Sequence, residues 1–73
     1  MSSAAAWRRR LASNLKRHRA GSGLTHNELG AKLGVTLWTS MRWCAGSLVP
    51  SLAQLMVLAR IYGTSASQLL GEK

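Results

Sequence analysis

The sequence is poor in acidic residues, cysteine, proline and aromatic side chains. Its 73 residues include two acids, Glu28 and Glu72, one cysteine, one proline and no phenylalanine. Two acids in all provide no carboxylate pair for acid–base catalysis. The single Cys44 excludes an internal disulfide and favours a reducing cytoplasm. No apolar run approaches the roughly 18 residues of a membrane span. These absences argue against an enzyme, a disulfide scaffold and a membrane-spanning chain.

The abundant features are basic charge and apolar side chains. Ten lysines and arginines give a formal net charge of +8, and 47% of the residues are hydrophobic. That hydrophobic content argues against disorder, so we expect one small folded domain with a narrow stability margin. The charge favours a polyanionic partner, with nucleic acid first and an anionic membrane surface second.

Hydrophobic spacing predicts an all-α domain of five short helices over residues 1–73. Trp7, Leu11 and Leu15 are four residues apart and share one face of the first helix. The predicted helices cover about residues 4–19, 26–33, 37–45, 52–62 and 66–70. The Ser-, Ala- and Arg-rich N-terminus also fits a transit peptide. We favour the helix, because removal of this segment would delete the first helix of the core.

The stretch from Thr25 to Gly46 carries the clearest motif. Thr25 and Glu28 have the spacing of a capping box at the start of the second helix. Gly34 suits the left-handed position that ends this helix, and Thr36 suits the N-cap of the next one. Two helices joined by three or four residues that include a glycine indicate a helix-turn-helix.

The last two helices complete the predicted core. The inner stripe of the fourth helix is expected to consist of Leu52, Leu55, Met56, Leu58 and Ala59. Val57 and Ile61 are expected on its outer face, where they are either scattered surface residues or a small dimer contact. Thr64 and Ser65 should start the fifth helix, whose Leu69 and Leu70 face inward.

The sequence resembles the phage-repressor and Cro type of helix-turn-helix domain over about residues 11–70. The resemblance rests on Leu24-Thr25-His26-Asn27-Glu28-Leu29-Gly30, Lys32-Leu33-Gly34-Val35-Thr36, Arg42-Trp43-x-x-Gly46, Pro50-Ser51-Leu52, Leu55, Leu58-Ala59 and Tyr62-Gly63. It implies a five-helix domain that binds double-stranded DNA, needs no cofactor and acts as a repressor-like regulator of transcription. A homodimer, formed either in solution or only on DNA, is a further alternative.

The third helix has two sides when it is laid out at about 100° per residue. Thr36, Ser40, Trp43 and Cys44 are expected to face the core. The resemblance implies that base contacts come from the outer side and the helix start, namely from Thr36, Leu37, Trp38, Met41 and Arg42. Arg42 suits a guanine, and the apolar residues suit thymine methyl groups and groove shape. The alternative is that this apolar side binds a protein.

Phosphate contacts are expected mainly at the start of the second helix, whose free N–H groups suit an anion. The candidates there and on the neighbouring helices are Arg10, Arg17, Arg19, His26, Asn27 and Thr39. Relatives of this type commonly carry a glutamate where Cys44 stands, and it pairs with the arginine that matches Arg19. We therefore expect Arg19 to lack this carboxylate partner and to be freer to contact a phosphate.

The departures from the family pattern are concentrated on the third helix, where relatives usually carry a polar outer side. Our hypothesis is that these departures reflect an altered, even engineered, DNA sequence specificity. His18 is expected at the boundary of the core. His18, His26 and Cys44 have no recognised metal-site spacing. The expected location is the cytoplasm, with the nucleoid in a bacterium or phage-infected cell.

Overall fold

The computed structural model describes residues 3–71, with side chains from Ala6 onward, and shows five α-helices in this part of the chain. They are α1 (Ser3–Ser22), α2 (His26–Leu33), α3 (Leu37–Ala45), α4 (Leu52–Tyr62) and α5 (Ala66–Leu69). No strand occurs between residues 3 and 71. The predicted all-α, five-helix class is confirmed.

The first helix is longer than the sequence suggested. We expected it to end at Arg19, but α1 continues to Ser22. The left-handed position falls at Gly23, with a φ of 78°. The Ser22 hydroxyl donates to the Arg19 carbonyl at 2.8 Å, which satisfies one of the carbonyls exposed at the helix end. The loop to α2 is therefore shorter than expected.

One apolar cluster joins all five helices. It consists of Leu11, Leu15, Leu29, Trp43, Leu55, Leu58, Ala59 and Leu69. Trp43 is the largest of these side chains and is only 2% exposed. Full burial of a large apolar side chain stabilises a fold by roughly 1.5–3 kcal/mol. The inner side of α3 is therefore held in place by the same cluster that holds the fold together.

The predicted orientation of α4 was wrong at three positions. Leu52 and Met56 were expected inside but are 71% and 55% exposed. The buried stripe follows Leu55, Leu58 and Ala59. Met56 lies about 100° around the helix from Leu55. Leu52 is the first residue of α4, at the end of the stripe. Ile61 was expected outside but packs against the core, whereas Val57 is exposed as expected.

One flank of α1 is occupied by α5. Asn14 donates its side-chain amide to the carbonyls of Leu69 at 2.9 Å and Gln68 at 3.4 Å. These bonds satisfy carbonyls at the end of α5. Arg17 donates to the Asn14 side-chain oxygen at 2.7 Å. Arg10 lies against Gly71, because a Cβ built there would be 2.8 Å from the Arg10 Nε.

Candidate nucleic-acid interface

The start of α2 is fixed by the predicted capping box. The Thr25 hydroxyl accepts from the Glu28 backbone N–H at 3.0 Å, and the Glu28 carboxylate accepts from the Thr25 N–H at 2.9 Å. The bond from the Thr25 backbone is the main reason that the pKa of Glu28 is lowered. The capping box thereby fixes the position of the first turn of α2.

The turn between α2 and α3 depends on two glycines. Gly34 takes the left-handed conformation with a φ of 71°. Gly30 is buried, and a Cβ on it would lie 2.7 Å from the Val35 carbonyl oxygen and 3.2 Å from that of Thr36. The Val35 N–H donates to the Gly30 carbonyl at 2.8 Å. The backbone of Gly30 and that of Val35 therefore lie close together, and this contact sets the angle between α2 and α3.

Thr36 begins α3 as its N-cap. Its hydroxyl accepts from the Thr39 N–H at 3.3 Å and lies 3.2 Å from the Thr39 hydroxyl. The expectation that Thr36 faces the core was wrong, because its side chain is exposed. An N-cap residue has an extended backbone and turns its side chain back to the first helical turn rather than to the core.

The two sides of α3 are otherwise divided as expected. Ser40 and Trp43 are 0% and 2% exposed, and Cys44 is half-buried. On the outer side, Leu37, Trp38 and Met41 are 38%, 64% and 40% exposed, and Arg42 is also exposed. Four of the five residues predicted to contact bases thus share one surface, and Thr36 lies at its edge.

His26 connects the start of α2 to the inner side of α3. Its ring Nδ1 lies 2.8 Å from the hydroxyl of the fully buried Ser40. Burial, and secondarily the charge of Arg19, lowers the pKa of His26. Nothing in the sequence spacing indicated this pair. A phosphate contact from His26 would come from a ring that is already positioned by Ser40.

Arg19 is less free than expected, although the partner that holds it is a backbone carbonyl and not a carboxylate. Its guanidinium donates to the Leu24 carbonyl at 2.9 Å and thereby holds the loop between α1 and α2. The Arg19 Nε is buried and has no hydrogen-bond partner among the described residues. The Tyr62 hydroxyl is buried and also has no partner there.

Burial changes the pKa of two groups beside Arg19. It raises the pKa of Cys44, and it raises the pKa of Tyr62 to about 12.

A cavity of about 200 Å³ lies between α1, the start of α2 and α3. Its walls are Lys16, Arg19, His26, Met41, Cys44 and Ala45. Three basic side chains therefore border the outer side of α3. Lys16 was not among the predicted phosphate contacts. The signal was present, because Lys16 and Arg19 are three residues apart and share one side of α1.

A second cavity, of about 380 Å³, lies between the end of α1 and α4. It is lined by Arg17, His18, Gly21, Ser22, Ile61 and Tyr62. The His18 and Tyr62 rings stack with their centroids 5.3 Å apart, so His18 lies at the core boundary as expected. Arg17 thus faces α4 and α5 rather than α3, and Arg10 lies on the same flank.

The remaining predicted phosphate contacts lie in the first turns of α2 and α3. Asn27 is exposed in the first turn of α2, and Thr39 is half-buried in the first turn of α3.

Within residues 3–71, no three histidine, cysteine or acidic side chains are grouped as metal ligands. No helix in the same range is long and apolar enough to cross a membrane.

A family model described as a helix-turn-helix domain matches residues 10–70. The chain belongs to this helix-turn-helix domain family. The match spans α2, the Gly34 turn and α3, together with the packing helices on either side. No curated protein and no solved structure matches the chain significantly. Membership in the helix-turn-helix family suggests DNA as the partner and a role other than catalysis.

Proposed function

We propose that residues 1–73 form a single DNA-binding domain that recognises a specific duplex sequence through the major groove. The observation that carries the proposal is the exposed outer side of α3 beside a cavity lined by Lys16, Arg19 and His26. An α-helix fits the major groove, and basic side chains beside it fit the flanking phosphates. Occupancy of the site would regulate transcription in the manner of a repressor, in the cytoplasm or nucleoid.

The base contacts in this proposal come from the exposed end and side of α3. They are Thr36, Leu37, Trp38, Met41 and Arg42. Arg42 would donate to the O6 and N7 of a guanine, which discriminates against other bases by roughly 1–3 kcal/mol.

The phosphate contacts divide into a near and a far group. In the near group, Lys16, Arg19, His26 and Asn27 lie on α1 and α2, and Thr39 lies on α3 itself. Arg10 and Arg17 lie on the flank of α1 that contacts α4 and α5. Because exposed charges act over about 10 Å at 0.1 M salt, the near group should contribute more. We therefore rank Lys16 above Arg10 and Arg17.

The test begins with selection of bound duplexes from a random pool. A common short motif is expected, and its symmetry shows whether one copy or two bind. Arg42→Ala should relax the base preference at one position. Lys16→Gln should weaken binding to all sequences and reduce the slope of log affinity against log salt by about 1.

Arg17→Gln is the matched control for Lys16, because it removes the same charge from the other flank of α1. Equal losses from the two variants would contradict the ranking of the phosphate contacts. Failure to bind any duplex at low salt would contradict the proposal itself. It would favour the second candidate, a protein-interaction module, which rests on the 64% exposure of Trp38.

A further inference from the structure

The outer side of α3 has an unusual chemistry for a surface beside basic residues. Leu37, Trp38 and Met41 present mainly carbon to solvent. The polar groups on this side are donors only, namely the Trp38 indole N–H and the Arg42 guanidinium. The methionine sulfur is a weak acceptor. This surface therefore offers apolar contact and hydrogen-bond donors, but no strong acceptor.

The hydroxyls nearest to this side are already engaged. Thr36 and Thr39 are hydrogen-bonded to one another and to the first turn of α3. Ser40 is completely buried and held by His26. The amino groups of adenine and cytosine are donors in the major groove, and they would meet only these threonine hydroxyls at the edge of the surface, with no carboxylate or amide oxygen on it.

From this chemistry we propose that the outer side of α3 recognises thymine 5-methyl groups, with guanine as the neighbouring base. Thymine presents a methyl group and the O4 acceptor in the major groove, and guanine presents two acceptors. Leu37, Trp38 and Met41 match the methyl groups, and the donors of Trp38 and Arg42 match the acceptors. The inference rests on the proposed DNA binding and specifies what the site prefers.

The charge around the surface distinguishes this occupant from an apolar protein partner. Lys16 and Arg19 line the cavity beside Met41, and the chain carries a net charge of +8. An apolar partner that covered this surface would take those charges out of water without neutralising them, which is costly. A duplex supplies phosphates for the charges and methyl groups for the carbon surface at the same time.

The experiment replaces thymine by uracil in the best duplex obtained by selection. Uracil differs from thymine only by the missing methyl group, so hydrogen bonding is preserved. Affinity should fall about fourfold for each contacted methyl, given about 0.8 kcal/mol per buried carbon. Leu37→Ala or Met41→Ala should bring the ratio of thymine-duplex to uracil-duplex affinity closer to one.

Leu52→Ala is the control variant, because Leu52 is 71% exposed on α4. It should leave the ratio unchanged. Equal affinity of the thymine and uracil duplexes would overturn the inference and leave DNA binding intact. A selected motif without thymine would also overturn it. Failure to bind any duplex would overturn both this inference and the proposed function.

Discussion

The two sides of α3 consist of different residues and meet different neighbours. The inner side, with Ser40 and Trp43, is almost completely buried against the other helices. The outer side, with Leu37, Trp38 and Met41, is apolar as well but is largely exposed. Apolar character alone therefore does not decide which side joins the core. The side of α3 that joins the core is the one that carries Trp43 and that the turn directs toward the other helices. The outer side remains available to a partner.

Replacing each of the two tryptophans of α3 in turn should distinguish its two sides by the largest difference in stability. Trp43→Ala should lower the free energy of unfolding by about 3–5 kcal/mol, because it leaves a cavity in the core. Trp38→Ala removes a side chain that is 64% exposed and should change it by about 0.5 kcal/mol or less. Urea denaturation followed by circular dichroism measures both. Similar losses would mean that the two sides are not distinct.

The glycine in the last turns of α2 should give the next largest effect. Gly30→Ala places a Cβ 2.7 Å from the Val35 carbonyl oxygen, so the turn must open. We expect a loss of roughly 2 kcal/mol or more, as for overpacking of a rigid site. Gly21→Ala is the control, because nothing lies within 4 Å of its Cβ and α1 continues through it. It should be neutral or stabilising by up to about 1 kcal/mol. Equal effects in urea denaturation would show that the turn is not tight.

Cys44 is half-buried at the edge between the two sides of α3, and its replacement tests whether an acceptor at this position stabilises the fold. Cys44→Glu would offer a carboxylate to the buried Arg19 Nε and Tyr62 hydroxyl. We expect the free energy of unfolding to rise by about 1 kcal/mol, because hydrogen bonds to a charged group exceed the desolvation cost. Cys44→Gln has the same shape without the charge and should gain less. A glutamate variant less stable than the glutamine variant in urea denaturation would contradict this prediction. It would show that a charged acceptor for Arg19 and Tyr62 does not stabilise the fold.

The smallest expected effect concerns His26, which joins the two helices at their edge. Its pKa is lowered in the folded state, so below the ordinary value of 6.5 the unfolded chain binds the proton more readily. The contribution of His26 to stability should therefore decrease as the pH falls from 7.5 to 5.5. His26→Gln should flatten the dependence of the unfolding free energy on pH in this window. An unchanged slope in the variant would assign the dependence to another group.

The frame of the helix-turn-helix could be predicted from sequence because its signals are local. The Thr25 and Glu28 box and the Gly34 stop each depend on neighbours within one or two helical turns. The orientation of α4 could not be predicted as well, because it contains more apolar residues than one buried stripe needs. Leu52 and Met56 have the same apolar character as Leu55, and tertiary packing alone distinguishes them.

The site was predictable to a lesser extent, because its polar side chains choose partners across helices. The pairing of His26 with Ser40 and of Arg19 with the Leu24 carbonyl depends on how α1, α2 and α3 approach one another. The division of basic residues on α1 was accessible, since spacing separates Lys16 and Arg19 from Arg10 and Arg17. Which group faces α3 becomes apparent only when the helices are packed.

DNA binding through the outer side of α3 and the start of α2 can be tested on the intact protein. The most direct measurement is a map of backbone amide chemical shifts as a selected duplex is added to the labelled protein. We predict that the largest changes occur at residues 26–27 and 36–42, with smaller ones near Lys16. Changes concentrated instead on α4 and α5, with α3 unaffected, would contradict the account.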